Sequence, residues 1–558
     1  MVLKLSMKII IHRYVHLKEL LESLGALFIA SIIAIPILTI FYMALSSEKN
    51  IWPHLSSTVL PGYIITTLIV LSGVGVITLI IGIGLAWVIT VYDFPMRRTL
   101  EWLCLIPLAM PTYIIAYTYG EIFDYPGFLQ SALRFIFGWQ SSKDYWFPNI
   151  YSTGGVIFVM SFVLYPYIYL TSRAAFLRQS MTLIEVSNTL GYSLSSSFFR
   201  VALPMARPAI IIGLILVMME SMNEFAAFEY YGVNTLSVGV YVTWLEKNNL
   251  SGAAQIAIFM LIFVFLLMLI ERKLRNKRSF VQKNNNTIAT NRYKLTGIRA
   301  YMLLIICLLP IMIGFIFPSI VLIDFIIQRY YEIDIIKYIT LVFNSIYLSS
   351  FAAILTLIIS IYLVNVSFSS NNFIIKLSIG ISRLGYALPG VVLALGIIVP
   401  MITFDNFLKS LLGDFFGITT GLIISGTAIG VLYAYIVRFL TIAYGTIESG
   451  FSTLNPDLGD AARVLGRSRL ETLVGIQLPI IKPALIAAVL LVFVDSMKEL
   501  PATLLLRPFN FDTLATHVYT YASLSALEDA ALPALTIVAV GIIPIIVINR
   551  VLMSSTKS

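Results

Sequence analysis

The sequence predicts an all-α polytopic membrane protein, with about twelve transmembrane helices arranged as two parallel six-helix repeats. Three observations lead there. Of the 558 residues, 59% are hydrophobic and only 12% charged, where a water-soluble domain carries about a quarter. Long runs such as Ala26–Leu45, Val74–Val91 and Ile256–Ile270 contain no charged side chain, and each fills or approaches the roughly 20 helical residues a bilayer core requires. Finally, a pattern recurs at an offset of 275 residues, which separates Glu185 from Asp460, Gly191 from Gly466 and Pro204 from Pro479. Chance rarely keeps an acidic residue, a glycine and a Leu-Pro in register twice, so the chain is a tandem duplication. A transmembrane β-barrel would show short alternating segments instead.

The first repeat, residues 1–270, places its spans near 24–46, 62–92, 99–122, 153–173, 207–228 and 252–271. The second, residues 298–558, places them near 298–326, 340–367, 376–402, 418–440, 482–505 and 529–550. The basic and polar stretch 271–297, with Asn284-Asn285-Asn286, reads as a cytoplasmic linker. Lys4, Lys8, Arg13 and Lys18 precede the first span, which has no small-residue cleavage site and reads as an anchor. Alternate loops collect the basic residues: Arg97-Arg98, the 173–207 segment, Glu271–Arg278, Lys376, the 438–482 segment and the tail with Arg550. The positive-inside rule therefore puts both termini in the cytoplasm. The net charge of +9 follows from these loops and points to orientation, not to nucleic acid. Cys104 and Cys307 sit in apolar runs as packing residues, with neither a disulfide framework nor a metal motif.

Each duplicated loop joins the fourth and fifth spans of its half, on the predicted cytoplasmic side. The first copy, 185–204, carries Glu185, Gly191, Leu203 and Pro204; the second, 460–479, carries Asp460, Ala461, Ala462, Gly466, Leu478 and Pro479. The chemistry is that of a short helix, a glycine turn, and an amphipathic stretch ending at proline. An acidic residue near a helix start is favoured by the dipole and can meet a partner's arginine.

A second repeat falls in the fifth spans, where Glu220-Ser221-Met222-Asn223-Glu224 matches Asp495-Ser496-Met497-Lys498-Glu499 at the same offset. Carboxylates at i and i+4 share one face of a continuous helix. At membrane depth such groups face a bundle interior or a water-filled path, so Glu220, Glu224, Asp495 and Glu499 are candidates for a translocation path or gate. The competing expectation is structural: the carboxylates pair with Lys498 or cap helices broken at Pro501.

The duplicated loop resembles the EAA loop of prokaryotic ABC importer permeases, EAA-x3-G-x9-I-x-L-P. The second copy departs only at Asp460; the first departs at Val186, Ser187 and Val201. The resemblance implies the type I importer permease fold and makes Glu185, Gly191, Asp460, Ala461, Ala462 and Gly466 contacts of a cytoplasmic ATPase dimer. Pro107–Tyr119, Gly385–Gly390 and above all Met497–Ala515 are similar to fused ferric iron permeases, and Met222–Trp244 is the first-half counterpart of the last. That likeness implies a bacterial inner-membrane permease for ferric iron, delivered by a periplasmic or extracellular binding protein. Permeases for thiamine, polyamine, phosphonate or molybdate share the organisation. A secondary transporter of two parallel repeats is the rival from another class, and it predicts no duplicated coupling loop.

No catalytic residue, bound cofactor or resident metal is expected. The four histidines, His12, His16, His54 and His517, are scattered. No G-x-x-x-x-G-K-[ST] phosphate loop occurs, so the chain is not read as an enzyme, and ATP is expected to be hydrolysed by a separate ATPase subunit.

Overall fold

The computed structural model describes residues 2–46, 51–178, 187, 189, 191–278, 292–370, 372–416, 421–455 and 457–555. Ten of its helices are long and apolar enough to cross a membrane, and two sharply bent helix pairs bring the number to twelve among the described residues. The bent pairs are Arg97–Ala109 with Thr112–Phe137, at 89°, and Arg469–Ile480 with Lys482–Met497, at 78°. Each overlaps a predicted hydrophobic run, but two in the second repeat begin more than ten residues further along than predicted: Gly390–Leu412 against 376–402, and Ile429–Phe451 against 418–440. The third span of each half is interrupted, by the tight helical turns Ile106–Ala109 and Gly385–Ala387 just before Pro111 and Pro389. Proline lacks the N–H that would continue the ladder.

Helices divide into two compact units that cut across the sequence repeats. One contains Met1–Ser46 and Thr340–Thr513; the other contains Ser47–Ile339 and Leu514–Ser558. The first helix of the chain thus belongs with the middle of the second repeat, and the last with the first repeat.

In the unit containing the N-terminus, helix Val2–Leu45 packs on Phe373–Ser382 and Gly390–Phe416. Tyrosine hydroxyls fasten it: Tyr362 donates to the Glu22 carbonyl at 3.1 Å, and Tyr433 to the Ile32 carbonyl at 2.5 Å. Inside a bilayer these bonds matter because no water competes for the carbonyls.

In the other unit, Val59–Val91 packs along Thr153–Arg178, and Leu203–Asn223 packs on both. Small residues permit the approach. A Cβ on Gly82 would lie 2.8 Å from the Ile168 side chain, and one on Gly213 would lie 3.0 Å from the Ile168 Cα. The opposite face of Val59–Val91 exposes Ile65, Val76 and Ile80, more than half accessible, as a lipid-facing stripe requires. Phe317–Gln328 packs on Ala531–Ser555. Past the linker, whose residues 279–291 lie outside the described residues, Tyr293–Lys294 pairs in parallel with Tyr92–Asp93. A cluster of charges sits beside that pairing. Arg97 lies 3.5 Å from Asp93 and 3.3 Å from Glu101, and Arg173 also pairs with Glu101.

Candidate functional site: duplicated loops and buried carboxylates

The second loop is fully traced around its glycine. Helix Asp457–Val464 carries Asp460, Ala461 and Ala462, and Gly466 follows with φ +83°. In this left-handed conformation the Arg467 N–H turns back to the Ala462 carbonyl at 3.1 Å, closing the helix end. Only glycine enters that region without steric cost. Ser468 then caps the next helix in a reciprocal capping box with Glu471. A π-helical turn, Leu473–Gln477, precedes Leu478 and Pro479.

The first loop repeats these details at the same offset. Gly191 has φ +88°, the Tyr192 N–H donates to the Ser187 carbonyl at 3.1 Å, and the Ser193 hydroxyl accepts from the Ser196 N–H. Its π-turn, Phe198–Ala202, precedes Leu203 and Pro204. Both π-turns end two residues before a proline, where the ladder has already lost a donor. Glu185 and Val186 lie outside the described residues. The copies part at the next element. Leu194–Asn223 runs as one span, whereas the second copy bends at Ile481, although Pro208 and Pro483 correspond.

Sequence reasoning missed what the second loop exposes. Val464 and Leu465, at the tip beside Gly466, are 87% and 83% accessible, and Leu470 is 73% accessible. Ala461 is exposed while Ala462 is buried. Two adjacent large apolar side chains thus stand exposed at a loop tip. The first copy presents Phe199, 65% accessible, with Arg200 stacked over the Tyr192 ring at 5.1 Å.

The acidic repeat is corrected in one respect. Glu220 and Glu224 do not share a helix face, nor do Asp495 and Glu499, because each helix ends between its two carboxylates. Helix Leu203–Asn223 stops before Glu224, whose backbone is extended, and Lys482–Met497 stops before Lys498. Each second carboxylate turns forward to cap a new short helix, Ala226–Tyr230 or Pro501–Leu506. Glu224 accepts from the Ala227 N–H at 2.9 Å and the Phe225 N–H at 3.2 Å. Glu499 accepts from the Ala502 and Thr503 N–H groups, both at 3.0 Å. A carboxylate at a helix start satisfies orphan donors and meets the positive end of the dipole. Glutamate does so from one residue before the usual cap position, its longer side chain spanning the extra distance.

Their remaining partners differ. Glu224 takes a hydrogen bond from the Thr112 hydroxyl. Glu499 takes the Arg438 guanidinium at 2.9 Å, with the Glu499 side chain only 1% accessible, and the Thr503 hydroxyl at 2.6 Å. Gly390 makes room for this pair: a Cβ there would lie 2.8 Å from the Arg438 guanidinium and 2.9 Å from the Glu499 carboxylate. Asp495 pairs with Lys498 at 2.9 Å, and both are partly accessible. Glu220 is half-buried. Among the described residues, no group of three or more His, Cys, Asp or Glu side chains could hold a metal ion.

Comparison with known proteins places this architecture. Residues 78–279 and 367–557 each match the family described as binding-protein-dependent transport system inner membrane component. An Fe(3+)-transport system permease protein, FbpB 2, of Haemophilus influenzae is 25% identical over 408 residues, covering 71% of this chain and 76% of its own. The sulfate transport system permease protein CysW of Escherichia coli is 27% identical over 282 residues, 48% of this chain and 93% of its own. A probable sulfate transport system permease protein, cysT, of Chlorella vulgaris is 29% identical over 198 residues, 34% of this chain and 71% of its own. With the family matched once in each half and over more than half of the chain, the protein is a member of the binding-protein-dependent transport system inner membrane components, carrying two repeats of that unit.

Proposed function

We propose that this chain supplies both permease halves of an ATP-driven importer for ferric iron in a bacterial inner membrane, with both termini on the cytoplasmic side. The observation that carries the proposal is the duplicated loop with its exposed apolar tip. Two copies of one backbone device, at a fixed offset, suit a twofold partner, here a dimer of cytoplasmic ATPase subunits. Ala461, Gly466 and the Val464-Leu465 tip would seat in one ATPase subunit, and the Gly191 loop, with Glu185, in the other. ATP-driven closure of the ATPase dimer would then shift the equilibrium between inward- and outward-open permease states. A binding protein outside the membrane would deliver the substrate.

Ferric iron is favoured over sulfate by coverage. The iron permease relative aligns over most of this fused chain, whereas the sulfate permease relatives align with half of it or less. Glu220 and Asp495, the partly accessible members of the acidic repeat, are proposed to border the path, with Glu224 and Glu499 holding the helix breaks beside it. The test is co-purification of the chain with its ATPase. Replacing Val464 and Leu465 together by Asp abolishes association while the protein still inserts; undiminished association removes the coupling assignment.

A further inference from the structure

One end of the unit that holds the Gly191 loop gathers phenols and carboxylates. Span Leu194–Asn223 has the loop at its start, so the short helix Ala226–Tyr230 lies about 45 Å away along the helix axis. Glu229, on that helix, is half-buried and accepts a hydrogen bond from the Tyr519 hydroxyl at 3.4 Å. The Tyr241 and Tyr519 phenols influence one another, and the Phe225 ring packs tilted against both, at 4.4 and 6.2 Å. A second carboxylate, Glu246, also acts on Glu229. A half-buried carboxylate facing a carboxylate and phenols is normally compensated by a positive charge.

Tyr117 supplies an independent sign. Its side chain is completely buried, its hydroxyl has no hydrogen-bond partner among the described residues, and its ring packs edge-on at 4.6 Å against Tyr230, the neighbour of Glu229 on the same short helix. Buried hydroxyls nearly always find a partner. Aromatic residues are ordinary at a membrane interface, but there their polar tips meet water, which the Tyr117 hydroxyl does not.

We infer that Glu229, Tyr519 and Tyr241, with Tyr117 behind them, form an oxygen-donor site for a ferric ion entering the permease. A small trivalent cation is a hard acid and prefers anionic oxygen ligands, which carboxylate and phenolate provide. Binding leaves the iron ferric; each phenol that coordinates it releases its proton to solvent. An oxyanion such as sulfate would be repelled by the same set. The inference rests on the ferric iron reading above.

The experiment titrates the full chain in lipid nanodiscs with ferric nitrilotriacetate, and assays iron uptake by the complete importer in proteoliposomes. Phenolate bound to ferric iron gives a visible charge-transfer band. We expect that band in the wild-type chain, its loss in the Tyr519→Phe, Tyr241→Phe double variant, and roughly tenfold weaker binding in Glu229→Gln. Tyr347→Phe, an exposed tyrosine of the other unit, leaves the band unchanged. Iron uptake with no band, or with a band that survives both the double variant and Glu229→Gln, overturns the site and leaves the iron reading standing. Sulfate uptake without iron uptake overturns that reading and the site with it.

Discussion

The Glu224 and Glu499 sites are one backbone device with two kinds of compensation. In both, a helix ends at or one residue before a buried glutamate, which caps the following short helix through main-chain N–H groups. In the first half Thr112 adds a neutral hydroxyl; in the second, Arg438 adds a full opposite charge across 61 residues of sequence. The hydrogen bonding that shapes the helix break is therefore conserved through the duplication, while the charge state around it has diverged. The second site is a buried ion pair, whose members depend on one another far more than hydrogen-bonded neighbours do.

That contrast sets an order of effects. Arg438→Met strands the Glu499 carboxylate and destabilises its unit by about 3–5 kcal/mol, measured by detergent-titrated unfolding of the purified protein. Thr112→Val removes a single bond to a carboxylate and costs about 1.5–3 kcal/mol. The two variants separate by location as well as size. Cys104 and Cys307 are buried thiols in the unit that contains Thr112, so thiol labelling rises in Thr112→Val and stays near wild type in Arg438→Met. Equal labelling in both would mean that the two sites do not open independently.

Gly466→Ala forces an L side chain into the left-handed region and costs about 1–2 kcal/mol locally. Gly466→Pro is expected to uncouple ATP hydrolysis from uptake while the protein still inserts, read as uptake per ATP consumed. The smallest effect belongs to Asp495→Asn, since the Asp495–Lys498 pair is partly accessible and worth up to about 1 kcal/mol. A loss of uptake in that variant larger than its loss of stability would mark Asp495 as a path residue.

Much of this was legible in the sequence because it is local. Hydrophobic runs locate the spans, and the 275-residue offset locates both loops, where Gly191 and Gly466 adopt the same positive φ. The exchange of terminal helices between the compact units left no trace in periodicity, since any apolar span can pack on any other. The break ahead of Glu224 was hidden for a different reason: its position carries no proline, Ala226 standing where the second half has Pro501. Thr112 and Arg438 were invisible as partners because each lies on a distant span. The apolar tip at Val464-Leu465 lies one residue past the matched alanines, after Arg463, and an adjacent Val-Leu pair just before the loop glycine was the signal that could have found it.

The central claim is that both loops are docking surfaces through which a separate ATPase drives this chain. Proteoliposomes containing the chain, its ATPase and a loaded binding protein measure it most directly. The account predicts iron uptake that requires internal ATP and falls to background in Val464→Asp, Leu465→Asp double-variant protein with unchanged insertion. Uptake that persists without ATPase and responds only to an ion gradient would contradict it.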